Sequence, residues 1–137
     1  MKVSLKVVWW PVLLWACAEP PRMQLRTPDL SPQVVAQECG GLRVQLTVER
    51  RRQSAAVADV LITDAAGQIL PDLSRVVLAF TRTTQANATT TLVAQHREAG
   101  HYTTISQFLL MSDSWTVEVI MRRANGVTVN CMFSVAL

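Results

Sequence analysis

The stretch Gly100-His-Tyr-Thr-Thr-Ile-Ser-Gln-Phe-Leu-Leu110, Met111-Ser-Asp-Ser114, Trp115-Thr-Val-Glu-Val-Ile-Met121, Arg122-Arg-Ala-Asn-Gly126, Val127-Thr-Val-Asn-Cys-Met-Phe-Ser-Val135 decides how the chain is read. Successive side chains of a strand point to opposite faces. Trp115, Val117, Val119 and Met121 therefore share one face, and Val127, Val129, Cys131, Phe133 and Val135 share another. A two-residue Asn125-Gly126 turn would pair Val119 with Met132 and set Phe133 opposite Glu118, which mixes the faces. A three-residue loop, Ala124-Asn125-Gly126, pairs Val119 with Cys131, Val117 with Phe133 and Trp115 with Val135. Every inward residue then meets an inward one, with Gly126 in the left-handed position of a type I turn plus bulge. The spacing predicts the three-residue loop.

Working outward, Leu42, Val44, Leu46 and Val48 alternate with Arg43, Gln45, Thr47 and Glu49, a half-buried strand. Ala56, Ala58, Val60 and Ile62 face one way in a second strand, and Asp64-Ala-Ala-Gly67 makes a turn. Val76, Leu78 and Phe80 point inward on a third strand, and Thr83–Ala88 is a polar connection. Thr89–Gln95 is short and threonine-rich and is read as an edge. His96–His101 forms the next turn, before a fifth strand over Tyr102–Leu110. About seven strands at this spacing, without a helical stretch, predict an all-β immunoglobulin-like β-sandwich.

The bulk numbers suit that reading. The chain has 137 residues, half of them hydrophobic, enough for a single domain with a buried core. Net charge is +3, but without Lys2 and Lys6 the 13 basic side chains fall to 11, against 10 acidic ones. That balance gives no nucleic-acid footprint.

Lys2 and Lys6 belong to a segment with an address. Met1–Lys6 is positive, and Val7–Ala16 is apolar but shorter than the roughly 20 residues of a membrane-spanning helix. Residues 1–16 read as a secretory signal. Leu14-Trp15-Ala16-Cys17 resembles a bacterial lipoprotein cleavage site with Cys17 as the lipidated residue; ordinary secretion is the alternative. Residues 17–38 carry Pro20, Pro21, Pro28 and Pro32 without periodicity and read as a tether, reaching up to roughly 60 Å from a membrane. The sandwich occupies 39–137.

Three cysteines are an odd number, but lipidation of Cys17 leaves Cys39 and Cys131 as an even pair in an oxidising compartment. A disulfide is predicted; two free thiols or a thiolate metal ligand are the alternatives.

Three features carry a family resemblance: Leu61-Ile-Thr-Asp64-Ala-Ala-Gly67 leading to Val76-Val-Leu-Ala-Phe80, Gly100-His-Tyr102, and Trp115-Thr-Val-Glu-Val-Ile. In this order they resemble the YtkA-like domain, over about residues 42–135. Relatives tend to carry Pro-Gly shortly before the tryptophan, where this chain has Ser112-Asp113. The resemblance implies a small extracytoplasmic immunoglobulin-like sandwich of the bacterial cell envelope, in the company of copper-resistance membrane proteins. A membrane copper-handling protein is then the implied partner, and copper the implied metal. It implies nothing about the cysteine pair.

Copper(I) takes thioether, thiolate or imidazole ligands. His96 and His101 flank one turn and are expected close together, joined by Asp64 or Asp72 and opposed by Arg122 and Arg123. Met111 lies about 33 Å along the strand from His101, at roughly 3.3 Å per residue, and stands alone at the other end. Solvated histidines and a packing methionine are the simpler readings. Trp115 is read as a packing residue. Arg50, Arg51 and Arg52 on a loop offer a grip for anionic headgroups or an acidic partner, or are only solvated. No serine, histidine and acid stand at a readable catalytic spacing, and no glycine-rich phosphate cradle is present, so no enzyme is expected. The sequence therefore supports a non-catalytic envelope module, for which the resemblance alone implies an accessory role in copper handling through partner docking or weak metal contact, or a purely structural or protein-interaction domain presenting its edge strand.

Overall fold

The computed structural model describes residues 31–51, 55–106 and 113–137. In chain order these form β1 (Gln33–Cys39), β2 (Leu42–Arg50), β3 (Ala56–Asp64), β4 (Leu73–Arg82), β5 (Thr89–Val93), β6 (Gln95–Glu98), β7 (His101–Ser106), β8 (Ser114–Arg123) and β9 (Thr128–Ala136). Two antiparallel sheets result, one ordered β1-β2-β3-β7-β6 and the other β5-β4-β8-β9. They face one another as an immunoglobulin-like β-sandwich. Among the described residues no helix is long and apolar enough to cross a membrane.

The alternating residues do what their spacing requires. Val44, Leu46, Val48, Val60 and Ile62 from one sheet and Val76, Leu78, Phe80, Val117, Val119 and Met121 from the other are almost wholly buried. Each such side chain contributes about 1.5–3 kcal/mol by leaving water, so this double row accounts for the cohesion of the fold. Trp115 is buried with them, as a packing residue, under the Arg82 guanidinium 5.7 Å from its ring.

The last hairpin has the predicted register. Val119 faces Cys131, Val117 faces Phe133 and Trp115 faces Val135. The Arg123 N–H donates to the Val127 carbonyl at 2.8 Å, and the Gly126 N–H to the Arg123 carbonyl at 3.0 Å. Gly126 has φ +86°, which a side chain would strain, and Asn125 Oδ1 accepts from the Val127 N–H.

Cys39 and Cys131 form the disulfide, with Cα atoms 5.6 Å apart and a sequence separation of 92. It joins β1 to β9, the facing edge strands of the two sheets. The bridge is compatible with an extracytoplasmic location.

Three expectations are corrected. Cys39 does not precede the first strand but closes β1, and Gly40-Gly41 turns the chain into β2 with positive φ at both residues. The stretch 17–38 expected as a tether therefore includes β1 from Gln33 onward; the residues up to 30, with the expected signal segment and Cys17, lie outside the described residues. The strand over Thr89–Gln95 is divided. Thr89–Val93 is an edge of one sheet, as expected, but Gln95–Glu98 belongs to the other. Ala94 is the crossing, buried, with its N–H on the Val76 carbonyl at 2.9 Å. Among the described residues nine strands, rather than about seven, follow from β1 and this division.

Candidate functional site

The crossing separates the two histidines. β6 pairs with β7 so that His96 faces Tyr102 and Glu98 faces His101, with a register shift between them. His96 thus lies on the inward side, its ring 5.2 Å from the Tyr102 ring. Neighbouring residues of β7 point to opposite faces, so His101 lies on the outer face. There its Nδ1 meets Asp59 Oδ2 at 2.9 Å, while the Thr103 hydroxyl donates to Asp59 Oδ1 at 3.0 Å. The expected approach of the two imidazoles fails because the strand parity across a tight Ala99-Gly100 turn sends them to different sides of one sheet.

The aspartates expected beside them are engaged elsewhere. Asp64 Oδ1 accepts the Ala66 and Gln68 N–H groups and closes its own turn. Asp72 Oδ2 accepts from Arg123 Nε at 2.8 Å, and that hydrogen bond, with the nearby charge, holds its carboxyl below the ordinary range. At the far end of β4 and β8, Asp113 Oδ2 accepts from Thr84 Oγ1 at 2.7 Å and from Arg82 Nε at 3.1 Å. The Thr84 bond, then the Ser114 N–H, then Arg82, hold Asp113 low. Each clamp fixes one end of the central β4–β8 pair. Among the described residues no three of His, Cys, Asp and Glu gather as a metal would require. Met111 lies outside the described residues.

The arginine loop is also dispersed. Arg50 ends β2 paired with Ala56 on the inward side, beside Ser31, Gln33 and Leu137. Arg51 belongs to the outer face, with Glu49, Asp59 and Arg97. Arg52 lies outside the described residues.

What the fold does assemble is an open edge along β5. Ala94 N–H bonds to Val76 O, and bonded pairs of an antiparallel ladder recur at every second residue. Given the register Leu78–Leu92 and Phe80–Thr90, those pairs bond across, and the N–H and C=O of Thr89, Thr91 and Val93 point away from β4. The sequence Thr89-Thr-Thr-Leu-Val93 holds no charge, no proline and no bulge, the devices that ordinarily protect a sheet edge. Its neighbours differ. β6 carries Arg97, Glu98 and a register shift, and β9 lies against β1 under the disulfide.

Hydroxyls and aliphatic side chains flank the edge. Thr81 and Thr89 share a hydrogen bond of 2.8 Å, and Val93, 55% exposed, aligns with Val77 and Ile120 across the outer face. Beneath the edge, between the sheets, a slot of about 210 Å³ is lined by Leu92, Val93, Gln95, Arg97, Thr104 and Ile105. Thr104 is only 5% exposed, and its hydroxyl has no hydrogen-bond partner among the described residues. A larger cleft of about 670 Å³ opens past Ala94, where Ile69, Leu70, Val93, His96 and Tyr102 meet Arg75. Burial pushes the Tyr102 phenol above its ordinary range. The cue for the edge was present in the sequence as an uncharged threonine-rich strand; the slot was not, because it exists only where the chain changes sheets.

No family model, no curated protein and no solved structure matches this chain.

Proposed function

We propose that this chain is a non-catalytic, extracytoplasmic interaction module that holds an extended segment of a partner by β-strand addition along β5. The observation that carries the reading is the unprotected edge: Thr89, Thr91 and Val93 direct their backbone groups outward from a strand without charge, proline or bulge. Main-chain hydrogen bonds would supply affinity, and the slot under Leu92 and Thr104 would receive a side chain of the added strand. A lipid on Cys17 and the proline-rich segment after it would present this edge at a membrane surface.

The copper-handling role implied by resemblance to the YtkA-like domain draws less from the geometry. His96 and His101 lie on opposite faces, and Cys39 and Cys131 are bridged. The interaction reading needs neither. Its test is a photo-crosslinking residue at position 91, compared with one at position 118 in the middle of the same sheet, in cells expressing the full chain. Adducts at 91 that vanish when Thr90→Pro breaks the β4–β5 ladder, and none at 118, are expected. Equal adducts at both positions would contradict it.

A further inference from the structure

We infer that the strand added to β5 is β5 of a second copy of this chain, antiparallel, about a two-fold axis through Thr91. This inference rests on the strand-addition reading and names its occupant.

The outward backbone groups belong to Thr89, Thr91 and Val93, a set centred on Thr91. When an antiparallel copy is placed about that centre, Thr91 faces Thr91 of the second copy, and Thr89 faces its Val93. Every outward N–H then meets an outward C=O, and each facing pair exchanges both of its hydrogen bonds.

The side chains agree with this placement. β5 carries no charge, so no like charges meet across the axis. The exposed Val93 of each copy comes to lie beside Thr89 of the other, where it loses water contact. Each of the other sheet edges is unsuited. β1 and β9 lie against each other beneath the disulfide, and β6 would bring Arg97 and Glu98 into the pairing. The two four-stranded sheets become one continuous sheet across the axis, an isologous closed dimer. A strand of 5 residues buries less than the roughly 1,600 Å² of a standard interface, so the dimer is weak and concentration-dependent.

The test is sedimentation velocity of the full chain from about 1 μM to about 1 mM, the range in which such an interface populates. Self-association is expected in the wild type. Thr91→Lys should weaken it at least about tenfold, by setting two ammonium groups across the axis. Thr91→Pro should abolish it, yet leave the monomer folded, because the Thr91 N–H takes no part in the β4–β5 ladder. Thr91→Cys should form a disulfide between copies above the level of the wild type and of Thr116→Cys, which lies on β8. A wild type that stays monomeric, an association that survives both Thr91→Pro and Thr91→Lys, or a Thr91→Cys chain no more crosslinked than the controls would each overturn the inference. A monomer whose position 91 still crosslinks to a different protein would remove self-pairing and leave strand addition standing; loss of both would remove the edge as a site.

Discussion

The two open sides of the sandwich are closed by different means. On one side β1 and β9 meet as edges of opposite sheets, joined by Cys39–Cys131. On the other, the main chain itself passes from β5 to β6 through Ala94. A covalent clasp between side chains holds the two edge strands against each other and leaves neither available. A chain crossing ties the sheets at one point only, and the strand on either side of it keeps a free edge. The difference teaches why the free edge is that of β5: continuity closes the fold without covering the backbone.

Removing the clasp should have the largest effect. Cys39→Ser with Cys131→Ser opens a loop of 92 residues, for which the chain-entropy model gives about 4–5 kcal/mol, read from urea unfolding. A loss under about 1 kcal/mol would mean that the side chains of β1 and β9 close that side unaided. On the crossing side, Ala94→Pro deletes the bond to the Val76 carbonyl and should cost about 1–3 kcal/mol in the same measurement. If it matched the double cysteine variant, the two closures would be equivalent and the contrast would fall.

Gly40→Ala probes the clasped side without touching sulfur. Gly40 has φ +56°, and an added methyl would come within 2.8 Å of Val129 Cγ1 on β9. About 1–2 kcal/mol of destabilisation follows from the backbone conformation alone. Acid should act least on the contrast. The Asp72 and Asp113 carboxyls titrate below their ordinary value of 3.8 in the folded chain. Their contribution is complete above that value and is lost as pH falls through the lower folded-state values. Asp72→Asn and Asp113→Asn should therefore flatten the acid limb of stability while leaving neutral-pH association unchanged, since both clamps hold β4 to β8 rather than either side.

The sandwich was legible because burial imposes a parity that side chains obey. Requiring inward residues to face inward residues was enough to choose the three-residue loop over Asn125-Gly126 and so to pair Val119 with Cys131. β1 escaped for the opposite reason: Gln33-Val-Val-Ala-Gln-Glu-Cys39 is mostly exposed and shows no alternation. Its signal was Gly40-Gly41, a dipeptide suited to a two-residue hairpin. The change of sheet at Ala94 leaves no local mark, because the chain remains extended through it. The histidine pair was misplaced by counting distance around a turn instead of parity across it. The uncharged edge was visible in Thr89–Val93, but the direction of its hydrogen bonds needed the register with β4.

Site-resolved amide hydrogen exchange along β5 tests the central claim most directly. In dilute full-length chain, the amides of Thr90 and Leu92 should be protected by β4, while those of Thr89, Thr91 and Val93 exchange freely; raising the concentration should protect the second set. Uniform protection of all five at high dilution, or free exchange of Thr91 at every concentration and with every partner, would contradict it.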